Sequence, residues 1–334
     1  MPSMAVPPTS SGRLRTISST EVDSYVALSG GVGGAKLVLG LSHLLPPEAL
    51  TVVVNTGDDF EHLGLHIAPD LDTLMYTLSG LSNPDTGWGR VGESWQCLDA
   101  LAQLGGESWF RLGDRDLAVH LQRTLRLRAG ASLSTVTTEL HRALGIKHRV
   151  LPMSDDPVRT RVHSDAGILA FQHYFVRERC APQVSGFSFE GATEARPAPG
   201  VLEALSAADL RGVIICPSNP FLSIDPILAV PGLRAALRQC AAPVLAVSPI
   251  VAGLAIKGPT AKIMQELALP QTAAAVAGHY ADLIDGFIID ETDRDCAPEI
   301  ATQSLRVMSA ASVMVTLDDR INLAHTALEF LRSF

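Results

Sequence analysis

The sequence contains no run of eighteen apolar residues, and residues 1–24 mix Pro, Ser, Thr and Arg without an apolar stretch. Neither a membrane-spanning helix nor a secretory leader is expected. The five cysteines (Cys97, Cys180, Cys216, Cys240 and Cys296) stand far apart and form no C-x-x-C pair. A disulfide framework is therefore not expected, and reduced thiols in a cytoplasmic protein are. Positive charge is in deficit, with 26 Lys and Arg against 35 Asp and Glu and a formal charge of -9. That balance excludes a protein that grips polynucleotide phosphate non-specifically and points to small-molecule partners, with no nucleic acid and no membrane. No internal repeat is evident.

What is present is apolar bulk: 334 residues, 47% hydrophobic, enough for one large α/β core with a smaller insert. Residues 1–24 read as a disordered polar tail, because Ser, Thr and Pro bury too little surface to offset ordering entropy. Tyr25 to Leu28 is then a short apolar strand, Ser29 to Gly34 a glycine turn, Ala35 to Leu45 a helix stopped by Pro46-Pro47, and Leu50 to Val54 a second strand. This is the βαβ unit of an open parallel sheet, whose ligands sit beyond the carboxyl ends of the strands. Further apolar runs at Val213 to Cys216, Val244 to Val247, Phe287 to Ile289 and Val313 to Val315 each end in small or polar residues, as buried parallel strands do. The expected fold is a Rossmann-like, mostly parallel sheet with helices on both faces. Residues 25–81 and 200–334 form its nucleotide- and metal-binding core, and 82–199 an α+β insert covering the site.

The glycine turn Ser29-Gly30-Gly31-Val32-Gly33-Gly34-Ala35-Lys36 lies between strand and helix. Glycines permit close approach of the backbone, and a helix start offers free N–H groups to phosphate. Lys36 or a nearby Arg adds charge. A bare tight turn is the plainer alternative. No Gly-Lys-Ser/Thr follows, so the turn is not a Walker A loop. The missing third glycine, and Asn55 where a ribose-binding acid is expected, weigh against a nicotinamide-dependent oxidoreductase.

Two acidic segments follow, Asn55-Thr56-Gly57-Asp58-Asp59 and Pro69-Asp70-Leu71-Asp72-Thr73. Read as loops at one sheet edge, they offer oxygen ligands suited to Mg²⁺ beside phosphates, from Asp58, Asp59, Asp70 and Asp72. Capping of helices and turns is the plainer role for such residues, with Asp72 placed to cap a helix from Thr73 to Ser79. Arg111-Leu112-Gly113-Asp114-Arg115-Asp116 opens a helix carrying Arg123, Arg126 and Arg128. Its arginines suit bidentate contact with phosphate or carboxylate, or else internal ion pairs on a solvated helix. Met153 to Pro157 reads as a turn; Trp88, His120 and His173 read as packed or singly exposed.

Taken in order, the glycine turn, Val54 to Asp59, Pro69 to Thr73, Arg111 to Asp116, Leu151 to Pro157, Pro217-Ser218-Asn219-Pro220, Ser223-Ile224, Val247 to Ile250 and Lys257-Gly258-Pro259 resemble the 2-phospho-L-lactate transferase family, from about Tyr25 onward. The resemblance implies Mg²⁺-dependent transfer of a phosphorylated three-carbon acid to the ribityl hydroxyl of the deazaflavin Fo. The donor is linked to guanosine diphosphate, GMP leaves, and the product is F420-0, a step in coenzyme F420 biosynthesis. The acid stays open among 2-phospho-L-lactyl, phosphoenolpyruvyl and 3-phosphoglyceryl groups. The resemblance places Asp72 and Arg111 at Fo; Thr73 and Asp114 are expected beside them, and Asp59, Asp72 and Arg111 are expected at the chemistry. Gly30, Gly31, Val32, Gly33, Gly34, Lys36, Asn55, Ser218, Asn219, Pro220 and Ser248 fall at the nucleotide and its phosphates. A non-catalytic nucleotide-sugar-binding regulator of a related Rossmann-like family is the rival reading. A homodimer is the default assembly.

Overall fold

Alternate side chains of the first strand, β1 (Ser24–Ser29), enter two different cores. Val26 and Leu28 join one apolar cluster, Tyr25 and Ala27 the other. A strand buried on both faces belongs inside a layered sheet. The computed structural model describes residues 23–84, 87–255 and 258–334 and places β1 in the interior of one. The tail, but for Asp23 and Ser24, and Lys257 lie outside the described residues.

Helix α1 (Gly31–Leu44) and β2 (Leu50–Val54) complete the first unit. A small hairpin, β3 (Phe60–His62) with β4 (Leu65–Ile67), leads into α2 (Pro69–Leu78). Helices α3 (Gln96–Gln103), α4 (Asp114–Arg128) and α5 (Leu133–Ala143) follow, then β5 (Arg149–Pro152) and an antiparallel sheet of β6 (Arg159–Ser164), β7 (Gly167–Ala170) and β8 (Val184–Glu190). The chain returns through α6 (Val201–Leu205), β9 (Leu210–Ile215), α7 (Asp225–Ala229), α8 (Leu233–Gln239) and β10 (Val244–Val247). It ends with β11 (Ile250–Val251), β12 (Leu254–Ala255), α9 (Thr260–Glu266), α10 (Ala273–His279), β13 (Gly286–Asp290), α11 (Ala297–Ile300), β14 (Arg306–Ala310) and α12 (Leu317–Arg332).

Seven strands form one parallel sheet in the order β14-β13-β10-β9-β1-β2-β5. One face packs on α1, α2 and α12 through residues such as Leu37, Leu41, Leu74, Leu323 and Leu328. The other packs on the helices after β9, and on Met153, Val162, Phe171 and Tyr174 from the stretch expected to form a cover. That stretch does more than cover, because β5 within 82–199 pairs with β2 and closes one edge of the main sheet. Residue 40 shows how close the helix layer sits. A Cβ there would lie 2.0 Å from the Arg320 carbonyl of α12, so glycine is what lets α1 and α12 touch.

One expected strand is displaced. Val313 to Val315 is a loop, and the edge strand is β14, whose Arg306-Val307-Met308-Ser309-Ala310 is not a continuous apolar run. The backbone amides of Val315 and Thr316 donate to the Asp319 carboxylate in the capping box of α12, which takes them from any strand ladder. Among the described residues, no single helix is long and apolar enough to cross a membrane.

Candidate functional site

After β1 the chain turns to β2 on one side; after β9 it turns to β10 on the other. Loops that depart in opposite directions from neighbouring strands leave a crevice between them, the switch point at which open parallel sheets bind ligands. Here the two loops are the glycine turn and Pro217-Ser218-Asn219. They are tied by the Ser218 hydroxyl, which accepts from the Gly30 N–H at 3.1 Å and donates to the Gly30 carbonyl at 2.8 Å. The crevice opens into a cavity of about 640 Å³.

The glycines fit because nothing larger would. A Cβ on Gly33 would stand 2.4 Å from the Pro217 carbonyl oxygen, and one on Gly34 would be wedged between the hydroxyls of Ser29 and Ser218. Gly31 instead has open space but takes φ +64°, the left-handed region. Gly30, Gly31, Val32, Gly33 and Lys36 line the cavity. The Gly31 N–H is already engaged, donating to Asp70 Oδ1 at 2.7 Å, and the Lys36 ammonium donates to the Met314 carbonyl at 2.6 Å.

Pro69 to Thr73 is not the expected extended loop but the first turns of α2, with Pro69 preset for helix entry and Asp70 and Asp72 complementing the helix dipole. Two positions along a helix point in different directions, so the two carboxylates part company. Asp70 Oδ2 and Asp58 Oδ1 each accept at 2.9 Å from the side-chain amide of the fully buried Asn55. Burial, with the charges of Asp70 and Asp59 adding to it, pushes the Asp58 carboxyl well above the usual carboxylate range. Burial likewise raises Asp70 to about 6, against hydrogen bonds from Asn55 and Gly31 that pull it down. Asp59 lies behind this pair; its Oδ2 meets His66 Nε2 at 3.1 Å and its buried Oδ1 has no hydrogen-bond partner.

Asp72 joins a separate group. Both its oxygens accept from the Arg123 guanidinium, and His120 Nδ1 lies 3.7 Å from Oδ2. Burial by itself would lower the Arg123 pKa, and the Asp72 carboxylate outweighs it, leaving the guanidinium above its ordinary value. His120 Nε2 is 3.2 Å from Asp116 Oδ2, and the Tyr76 hydroxyl donates to Asp116 Oδ1 at 2.5 Å. Asp72, Asp116 and His120 present ligand atoms close enough together to hold a metal ion, although Arg123 already counters the Asp72 charge.

The far wall comes from 82–199: Trp88, Trp109, Phe110, Arg111, Phe171 and Phe175 line it. Arg111 stacks over Trp95, 4.1 Å from the ring centre. Of the residues singled out in the sequence, Asp58, Asp70, Asp72, Thr73, Arg111, Ser218, Asn219, Ser248 and the glycine turn through Gly33 with Lys36 converge on the cavity. Gly34, Asn55, Asp59 and Pro220 sit behind its surface. Asp114 is not brought there; its carboxylate accepts from Ser94 Oγ and the N–H groups of Gln96 and Cys97, fixing the start of α3. Asn219 and Ser248 use their side chains largely to shape their own loops. The sequence did not single out Tyr76 or the other rings of the aromatic wall, and it gave Trp88 and His120 only a packed or singly exposed role, since a lone ring or imidazole carries no spacing signal. Only the i, i+4 step from Asp116 to His120 hinted at the group.

A mixed polar and aromatic cavity at the switch point of a parallel sheet marks an α/β enzyme acting on small molecules. The chain belongs to the CofD family, 2-phospho-L-lactate transferase, whose model matches residues 25–329, and it is a phospho-acid transferase of coenzyme F420 biosynthesis. It is similar to a phosphoenolpyruvate transferase of Streptomyces griseus, 42% identical over 310 residues, 91% of this chain and 97% of the relative. It is also similar to a 2-phospho-L-lactate transferase of Methanosarcina mazei, 40% identical over 280 residues, 84% of this chain and 90% of the relative. A solved Bacillus halodurans protein of the UPF0052 family shares the fold, with TM-score 0.59 and 14% identity over 92% of this chain and 99% of its own.

Proposed function

We propose that the cavity joins a guanosine-diphosphate-linked, phosphorylated three-carbon acid to the ribityl hydroxyl of Fo. The hydroxyl oxygen bonds to the phosphorus bearing the acid, the bridging P–O bond of the diphosphate breaks, GMP leaves and the hydroxyl proton is released. The observation that carries this reading is a single cavity lined both by the glycine turn with buried carboxylates and by aromatic rings. A nucleoside diphosphate suits the first set and a flat deazaflavin the second.

The residues fit a divalent cation. Asp58 and Asp70 are buried, face the cavity and have pKa values raised by burial and by neighbouring carboxylates, and the adjacent Asp59 has an unpartnered oxygen. Mg²⁺ held by Asp58 and Asp70 would supply neutralisation of the diphosphate charge. The protein's own part is positional. The start of α1 presents its positive end to the phosphates, Asn55 keeps Asp58 and Asp70 apart at a fixed spacing, and Arg123 orients Asp72 toward the acceptor hydroxyl. Arg111, braced on Trp95, holds the Fo side.

Incubation with Fo, Mg²⁺ and each of the three guanosine-linked acids, followed by product mass, tests the reading. One phosphodiester product with equimolar GMP is expected, its mass naming the acid. No product from any donor, together with tight binding of a UDP-sugar, favours the regulatory alternative.

A further inference from the structure

We propose that Arg179 is the residue that grips the carboxylate of the transferred acid, an assignment resting on the transferase reading above. The segment before it is unusual. Residues His173–Arg177 form a turn of π-helix, a rare form frequently found at functional sites; a second such turn, Pro220–Ile224, also borders the cavity. Arg179 and Cys180 then take φ +49° and +57° in succession, left-handed conformations that side chains avoid and that only surrounding structure can impose.

The result is one face of the segment turned to the cavity: Phe171, Gln172, Phe175, Val176 and Arg179 line it. The rings of Phe171 and Phe175 stack, 5.4 Å between centres. Gln172 Nε2 donates to the Asp58 carbonyl at 3.1 Å, so the segment is anchored to the carboxylate loop and does not hang free.

Charge makes the assignment specific. Among the described residues, three long cationic side chains line the cavity: Lys36, Arg111 and Arg179. Lys36 donates to Met314 beside the glycine turn, and Arg111 sits over the Trp95 ring. Arg179 makes no hydrogen bond or ion pair among the described residues, leaving its planar fork of donors available. A guanidinium fork matches a carboxylate in bidentate fashion. The diphosphate is provided for at the switch point, so the carboxylate shared by all three candidate acids is the anion left to recognise.

The test is steady-state transfer by Arg179→Gln and Arg179→Lys, with GDP, which lacks the acid, as competitor. In Arg179→Gln the KM for the donor should rise about 10- to 100-fold, the loss of a charge-assisted hydrogen bond. The KM for Fo and the inhibition constant of GDP should stay within about twofold, since those ligands lack the carboxylate. Arg179→Lys should recover part of the loss. An equal weakening of GDP would make Arg179 a phosphate contact, and a rise confined to Fo would make it part of the ring pocket; either overturns the assignment. So does an unchanged donor KM. A wild-type chain that transfers none of the three acids overturns the transferase reading and this assignment together, a result distinct from the other outcomes.

Discussion

Below about pH 6 the Asp70 carboxyl carries a proton in the folded chain, which the unfolded chain gives up near pH 4. The unfolded state therefore binds fewer protons across that window, and this group's contribution to stability falls as pH rises through it. His141, held down to about 4 by burial, acts with the opposite sign over an overlapping range. The Asp70 part is read as a difference: Asp70→Asn should gain melting temperature on wild type between pH 4 and pH 7. Added Mg²⁺ should raise the wild-type melting temperature more at pH 7 than at pH 5, because proton and cation compete for one carboxylate. Equal Mg²⁺ effects at both pH values would remove Asp70 from the cation site. A second expectation concerns the buried Arg123 and Asp72 pair. Arg123→Met leaves a buried carboxylate without its partner and should cost about 3–5 kcal/mol in denaturant titrations. Adding Asp72→Leu should restore much of that stability while transfer stays lost. At this scale the aspartates were legible as residue types at a sheet edge. Their division into two groups was not, because it depends on the helical pitch of α2 and on a partner 51 residues away.

Gly31 and Gly33 stand two residues apart at the start of α1 and answer to different constraints. Alanine at 33 meets a backbone carbonyl that cannot swing aside, so Gly33→Ala should cost about 1–3 kcal/mol and push apart the two loops at the crevice. Alanine at 31 meets empty space and only strains φ, a loss of the order of 1 kcal/mol. Thermal melts with transfer assays separate them: Gly33→Ala should lose transfer beyond its loss of stability, and Gly31→Ala should lose mainly stability. Parity between the two variants would show that close approach to Pro217 does not matter. The β1-turn-α1-β2 unit was legible because apolar runs, glycines and Pro46-Pro47 punctuate it. Edge strands β5 and β14 were not: β5 offers only Val150 and Leu151 before Pro152, and the apolar run of β14 is interrupted by Arg306 and Ser309.

The three tryptophans of the chain, Trp88, Trp95 and Trp109, all lie in the stretch that forms the far wall. Intrinsic fluorescence therefore reports on the cavity rather than on the sheet. Titration with Fo should quench it saturably, and Trp109→Phe should remove a large share of the signal change; quenching unaltered by that change would put the ring elsewhere. The interior of the sheet was legible because buried parallel strands advertise themselves as unbroken apolar runs. The role of 82–199 as both sheet edge and cavity wall was not, because its contacts with the core are long-range and leave no local pattern.

Strand β1 hydrogen-bonds to β9, whose sequence lies more than 180 residues downstream. A nascent chain leaving the ribosome cannot finish the interior of its sheet until that distant partner emerges. For most of synthesis, one edge of the first βαβ unit stays unpaired and its apolar face uncovered. Slow, late closure of this kind favours chaperone engagement and low expression temperature. Fragments ending before residue 210 should aggregate rather than fold.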